Sequence, residues 1–328
     1  MRISLDGIAR SSLRARRAGA LLGWASVLSS LCTGLAPPAP KAPLSQNAWI
    51  DARNVCVFPL STRGIPAATA DLADALTAGL KEDYAFSGAA TPVSLDGVKG
   101  QACDAVTIDL TDAAISRKRP KLDKATPAAP GLKVARFQVT GHPMLLGKAK
   151  LEYNLSAKDA QLDLQRDRQG RSVLVLTRAS AGAFRASIAG NDLQSFLQST
   201  AQDVGKKYGF DVQKLKLKMG APADRTLATD LKVSFGVAGL GGIIHFKGQL
   251  VVDNDLGATL TNLRLVGQGP VGNVVVALLG PGMQKYDGER RPLVEFPGRQ
   301  MALRDVQFKV DDAVHLSAAF GDDPAAKQ

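Results

Sequence analysis

The 328-residue chain carries a formal net charge of +11, with 45% apolar and 5% aromatic residues, which suits one or two domains with ample apolar content for a core. The charge is unevenly placed: residues 1–17 hold five arginines against Asp6, so +4, and residues 117–124 hold Arg117, Lys118, Arg119, Lys121 and Lys124 against Asp123, another +4. The remainder is mildly basic and its aromatics are scattered, which excludes the concentrated basic face of a nucleic-acid binder.

Arg2, Arg10, Arg14, Arg16 and Arg17 precede residues 18–36, a stretch with no charge at all. A basic segment followed by an apolar one is the layout of a secretory signal or an N-terminal anchor. Its apolar length approaches the roughly 20 residues that span a bilayer. The arginines should stay cytoplasmic, which puts the body on the far side, in the periplasm or cell envelope. Pro37 directly follows Ala36, a poor context for signal cleavage; Leu31 is bulky for a lipobox before Cys32. The Arg16-Arg17 pair lacks the flanking residues of a twin-arginine signal. Retention as an inner-membrane tether is therefore favoured over removal. Residues 37–48, with Pro37, Pro38, Pro40 and Pro43, read as a linker.

Residues 49–116 read as a small α+β region. A short strand over 55–58 is followed by a helix opened by Pro66 and Thr69, with Leu72, Ala75, Leu76 and Leu80 on one stripe. Val106, Ile108 and Leu110 then alternate with polar residues as a strand. Cys56 and Cys103 are the cysteines of the exported body, and in an oxidising compartment they form a candidate disulfide; two free buried thiols are the alternative. Residues 117–130, charged and proline-rich without periodicity, read as a second linker.

Residues 131–322 carry mostly strand patterns before a short tail, 323–328. Strand chemistry marks 133–139, 149–155, 161–166, 173–177 and 184–188. Asn191 caps a helix with Leu193, Phe196, Leu197, Ala201, Val204 and Tyr208 on one stripe, closed by Gly209. Longer alternations follow. Lys214, Lys216 and Lys218 interleave with Leu215, Leu217 and Met219; Leu231, Val233 and Phe235 with Lys232 and Ser234; Ile244, Phe246, Leu250 and Val252 with His245, Lys247 and Gln249. A further helix is predicted from Gly272 to about Tyr286, broken at Gly280-Pro281-Gly282. Two closing strands carry Val306, Phe308 and Val310, then Val314, Leu316, Ala318 and Phe320. The expected fold class is α+β: a curved antiparallel meander with one apolar face, packed on two or three helices.

Gly267-x-Gly269-x-x-Gly272 matches the dinucleotide-binding fingerprint, which would make the chain an oxidoreductase. The context opposes that reading. The preceding strand carries Asn262 and Arg264, the helix starts on three valines, and too little chain remains for further βαβ units. A tight turn into a helix is the plainer reading. His142, His245 and His315 are far apart and read as solvated strand residues, not metal ligands. No catalytic residue, metal or cofactor is expected. Lys214, Lys216 and Lys218 form a basic stripe that suits anionic lipid headgroups or simply guards an edge strand.

The series Asn191-Asp192-Leu193-Gln194-Ser195-Phe196-Leu197, strand 210–219, residues 248–252 with 260–265, and Leu293-Val294-Glu295-Phe296-Pro297 leading into 303–310 and 314–320 resembles the LmeA-like bacterial envelope proteins of the tubular lipid-binding (TULIP) type. The likeness spans about residues 130–320. It implies a strongly curved sheet around a long helix, an apolar groove for acyl chains, no catalytic residues, and a lipid or membrane surface as partner. Leu231, Val233, Phe235, Ile244, Phe246, Leu250 and Val252 are the candidate groove residues, and an ordinary closed core in an envelope structural or interaction domain is the alternative.

Overall fold

In the computed structural model the described residues are 48–51, 56–87, 91–115, 122, 128–207, 209–237, 240–297 and 300–323. The predicted anchor over 1–36, all but the last residue of the 37–48 linker and most of 117–130 lie outside them.

The described chain opens with β1 (Ile50–Asp51) and β2 (Val57–Pro59), followed by helix α1 (Thr69–Asp83). Leu72, Ala75, Leu76 and Leu80 are all buried, so the predicted stripe is the packed face of α1. Short strands β3 (Tyr84–Ala85) and β4 (Val93–Asp96) lead to β5 (Ala102–Asp109) and β6 (Ala114–Ile115). Two long strands follow, β7 (Ala129–Leu146) and β8 (Ala149–Arg166), then β9 (Ser172–Arg178) and β10 (Ala181–Ala189). The segments predicted over 149–155 and 161–166 are one strand, because hydrogen-bonding partners continue through 156–160, although the buried side switches at Asp159, which has φ +46°.

Eleven strands join in one mixed sheet along the path β17-β18-β10-β8-β7-β5-β4, with β2 on β9 and β3 on β6; β17 (Met301–Val310) and β18 (Ala313–Asp322) close the chain. β5 and β6 run parallel to β7. Strands from 49–116 and from 131–322 therefore share a sheet. Its main core joins Leu72, Leu76 and Leu80 of α1 to Val106, Ile108, Phe137, Leu162 and Leu174. Burying each such side chain is worth about 1.5–3 kcal/mol.

Between β10 and the closing pair lie helix α2 (Gly190–Lys207), β11 (Asp211–Ala223), β12 (Thr226–Val237), β13 (Leu240–Val252), β14 (Gly257–Gln268), helix α3 (Gly269–Gln284), β15 (Arg290–Pro292) and β16 (Val294–Glu295). β11 to β15 form a five-stranded antiparallel meander, and β16 pairs with β1. Leu227, Leu250, Val252, Ala258 and Leu260 from the meander pack with Leu293, Val306 and Phe308, which joins it to the closing strands.

The α+β class holds. Strong curvature does not: the strands divide between two large sheets and the sheet is not strongly curled or closed. Separate helices lie against the sheets, so neither sheet must curl onto itself to leave water. Two local expectations also change. α3 starts at Gly269 and runs through Pro281 to Gln284 instead of breaking at Gly280. Cys56 and Cys103 are both buried but free, so the candidate disulfide is absent. The Cys103 Sγ donates to the carbonyls of Asp96 and Ala105, each at 3.0 Å, beside its own strand. Along the ladder β7, β8 and β9 intervene between β5 and β2, which follows Cys56, whereas a disulfide needs Cβ atoms about 3.8 Å apart.

Candidate functional site

The meander has two chemically opposite faces, and register fixes them. Leu217, Leu231, Phe246 and Leu265 stand in one cross-strand row, and Leu215, Val233, Ile244 and Gly267 in the next. Residues paired across antiparallel strands point to the same side. All seven candidate groove residues consequently share the inner face. Phe235, Phe246, Leu250 and Val252 are buried, while Leu231, Val233 and Ile244 are half-buried.

Their cover differs from place to place. Leu250 and Val252 belong to the core shared with the closing strands. The Phe235 ring meets Phe210 edge-on, with centroids 5.8 Å apart. Leu193 and Leu197 of α2 pack with Leu215 beside Leu217, Leu231 and Val233. α2 also satisfies the edge strand: Leu217 N donates to Gln194 Oε1 at 3.0 Å, and Gln202 Nε2 donates to the Val212 carbonyl at 3.2 Å. An edge blocked in this way cannot recruit another strand there. α3 lies over β13 and β14. Of the half-buried side chains, Leu231 and Val233 pack at the margin of the α2 cluster, and Ile244 pairs with Val233 on the next strand.

The glycine fingerprint is what lets α3 sit so close. A Cβ on Gly242 would stand 2.7 Å from Gly272 N, and one on Gly272 would stand 2.6 Å from the Ile243 carbonyl oxygen. A Cβ on Gly267 would overlap the Gly272 carbonyl. Gly269, at φ +78°, makes the turn from β14 into the helix. The three glycines of the motif therefore serve helix-on-sheet contact.

The outer face is cationic. Lys216, Lys232, His245 and Val266 form one row; Lys218, Asp230, Lys247 and Arg264 form the next; Lys214 pairs with Ser234. Lys214, Lys216, Lys218 and Arg264 are exposed. Asp230 is the acid in these rows, and it accepts hydrogen bonds from His245 Nε2 at 2.5 Å and Lys247 Nζ at 2.9 Å. Burial alone would raise the Asp230 carboxyl, but hydrogen bonds and charges from Lys247 and His245 together hold it below the ordinary carboxylate range. Among the described residues Lys214, Lys216, Lys218, Lys232 and Arg264 have no carboxylate partner. The sequence pattern singled out the three β11 lysines; pairing adds Lys232, Lys247 and Arg264 to them.

Two further histidines sit on strands with one carboxylate each: His142 Nδ1 lies 2.6 Å from Glu152, and His315 Nε2 lies 3.0 Å from Asp311. Among the described residues no three His, Cys, Asp or Glu side chains are grouped to hold a metal. A cleft of about 460 Å³ opens beside the closing strands, lined by Asp224, Gln307, Lys309, His315 and Ser317 among others. It contains none of the candidate groove residues. Among the described residues no helix is long and apolar enough to cross a membrane. No family model, curated protein or solved structure matches the chain.

Proposed function

We propose that this is an exported, non-catalytic envelope protein, tethered by residues 18–36, that binds lipid acyl chains on the inner face of its meander. The observation that carries the reading is the floor of Leu231, Val233 and Ile244. These apolar side chains, like Leu217 and Leu265 beside them on the same face, are only half-buried. Hydrocarbon laid there would gain about 0.8 kcal/mol per buried methylene without any directional contact, which agrees with a site that has no sharp motif. The charge-free α3 beside it supplies an apolar wall.

A closed-core structural or interaction domain is the second reading, and the burial of Phe235, Phe246, Leu250 and Val252 favours it. Purified full-length chain, gently delipidated or not, separates the two by native mass spectrometry and by uptake of a fluorescent acyl probe. Acyl binding predicts co-purifying lipid, saturable uptake, and several-fold weaker uptake in Leu231→Trp and Val233→Trp. Consistent absence of both lipid and uptake would leave the closed-core reading standing. Protease protection of the body in intact cells tests the tether: an exported body is cleaved only once the outer barrier is opened.

A further inference from the structure

We propose that one end of the meander is a docking tip for an anionic bilayer. Three connections meet at that end. The register pairs Asp211 with Gly236, which places the α2–β11 connection beside the β12–β13 hairpin. Ile243 pairs with Gln268, which brings the turn into α3 to the same edge. Exposed large apolar side chains gather here: Val204 in the last turns of α2, Leu240 at 59% exposure in the hairpin, Val266 before the turn, and Val274 early in α3. Leu278 and Leu279 continue the exposed strip along α3. No residue from 233 to 244 or from 265 to 284 is charged, so two charge-free runs converge on one end, beside an α2–β11 connection that carries Asp203, Lys206, Lys207 and Asp211.

The opposite end is built differently. Its turns carry Asp224, Arg225, Asp253, Asn254 and Asp255, and Arg225 reaches Asn254 at 3.3 Å and Asp305 at 2.6 Å. An all-round apolar helix is normally buried, yet α3 turns Val274, Leu278 and Leu279 to solvent. Charge complementarity decides the occupant. On the outer face, Lys214 in the row of Gln268 and Lys216, Lys218, Lys232, Lys247 and Arg264 farther back outnumber two acids, Asp211 at the tip edge and the already engaged Asp230. An apolar tip below a lysine band is the pattern of a surface that enters the headgroup layer of an anionic membrane. Each lysine brought near such a surface is worth roughly fivefold in affinity. A nucleic acid would use the lysines but leave the aliphatic tip bare, and the exposed tip side chains are aliphatic instead of stacking aromatics.

The tether is long enough. Trp49 marks the chain's entry at the other end of α3, where it meets Tyr286 at 6.3 Å and donates to the Ala258 carbonyl at 2.8 Å. The sixteen residues of α3 span about 24 Å, and the eleven residues 37–47 can extend about 34 Å. An anchor in the bilayer therefore leaves the tip free to reach its surface. This inference rests on the exported, membrane-side location proposed above but not on acyl-chain binding; co-purified lipid reports on that site and tip depth reports on this one.

The test uses full-length chain carrying Cys32→Ser, reconstituted in vesicles with or without 30 mol% phosphatidylglycerol. An environment-sensitive fluorophore is placed on Leu240→Cys or, at the opposite end, on Asn254→Cys. Spin-labelled lipid should quench the Leu240→Cys label at least threefold more than the Asn254→Cys label, in anionic vesicles and not in neutral ones. The triple variant Lys214→Glu, Lys216→Glu, Lys232→Glu, with unchanged circular dichroism, should lose that difference. Equal quenching at the two ends would overturn the proposal. So would cross-linking of the Leu240→Cys sites of two chains in lipid-free detergent, which would give the tip to a second copy. Duplex DNA competing away the quenching at equimolar concentration would assign the lysine face to nucleic acid instead.

Discussion

Replacing Gly242, the β13 residue that faces Gly272 of the glycine fingerprint, by valine tests whether that close approach serves packing. The Cβ would lie 2.7 Å from Gly272 N and 3.2 Å from both the Phe235 Cζ and the Val271 Cβ. Carbon contacts are optimal at about 3.5–4.0 Å, so α3 must retreat by roughly 1 Å before the two γ-methyls are even placed. A gap of that size forfeits a quarter to a half of the dispersion along the contact, and overpacked sites typically cost about 1–3 kcal/mol. We expect the upper part of that range, because the nearest opposing atom is backbone in a helix. The control is Gly220→Val on β11, where an added Cβ meets nothing within 4 Å; there the branched residue should be neutral or slightly stabilising in a strand. Urea unfolding followed by circular dichroism should show Gly242→Val losing about 2–3 kcal/mol relative to Gly220→Val. If the two variants unfold at the same midpoint, α3 does not depend on the close approach and the packing account of the motif fails.

Other perturbations bear on the rest of the molecule. Arg171 bonds Asp167 Oδ2 at 2.8 Å and Asp83 at 3.2 Å, and both carboxylates are almost wholly buried; Arg171→Met removes their cation, leaving Asp167 only its backbone donors at residues 169 and 171, and should cost about 3–5 kcal/mol in urea titrations, whereas a loss below 1 kcal/mol would mean that water reaches the site. Hydrogen bonds from Arg290 to Asp253 and from Arg225 to Asp305, each 2.6 Å, hold both carboxyls below the usual range against the opposing effect of burial. A depressed folded value gives stability that is whole above the unfolded carboxylate value near pH 4 and is lost as pH falls through the lower folded one, so the melting temperature of Asp253→Asn, Asp305→Asn should fall less than wild type between pH 5 and pH 2; parallel curves would refute this. Burial pushes the Cys103 thiol up, against the hydrogen bonds to the Asp96 and Ala105 carbonyls, so thiol reagents should modify Cys56 and Cys103 only after unfolding, and a reductant should leave the melting temperature unchanged; non-reducing peptide maps showing a linked pair would contradict the structure.

What the amino-acid sequence made legible was whatever repeats locally. The stripe of Leu72, Ala75, Leu76 and Leu80 is the buried side of α1, and Gly209 takes the left-handed conformation expected after α2, at φ +78°. The alternation from Lys214 onward sorted inner from outer residues on β11 to β14 correctly, since side chains alternate with a period of two. Non-local relations were not legible. That β5 pairs in parallel with β7 depends on the crossover over residues 110–128, which holds β6 and the basic linker, and no local pattern encodes it. Curvature was inferred from an apolar face that needed cover; α2 and α3 supply that cover, so the same pattern has a second solution. Cys56 and Cys103 share one core yet stay free, because pairing two thiols requires Cβ geometry that composition cannot convey.

The candidate site shows the same limit more sharply. Each lysine of the outer face was visible singly, but only strand pairing stacks Lys218 beside Asp230, Lys247 and Arg264 and leaves one acid among the six cations of these rows. The tip was also present in the sequence as two charge-free runs, 233–244 and 265–284, which read separately as a strand pair and an apolar helix. Read as core elements, both runs should be buried. They are buried only in part: Phe235 and Gly272 are buried, whereas Leu240, Val266, Val274 and Leu278 are each more than half exposed. The informative quantity is the mismatch between an apolar run and its burial, and that mismatch exists only once the fold has placed both runs at one end. Soluble chains tend to break exposed apolar patches with charge. Here charge is withheld from two of the three connections at the tip, and cations outnumber acids beside them, an arrangement that stability of the isolated chain does not require and that a bilayer surface would explain.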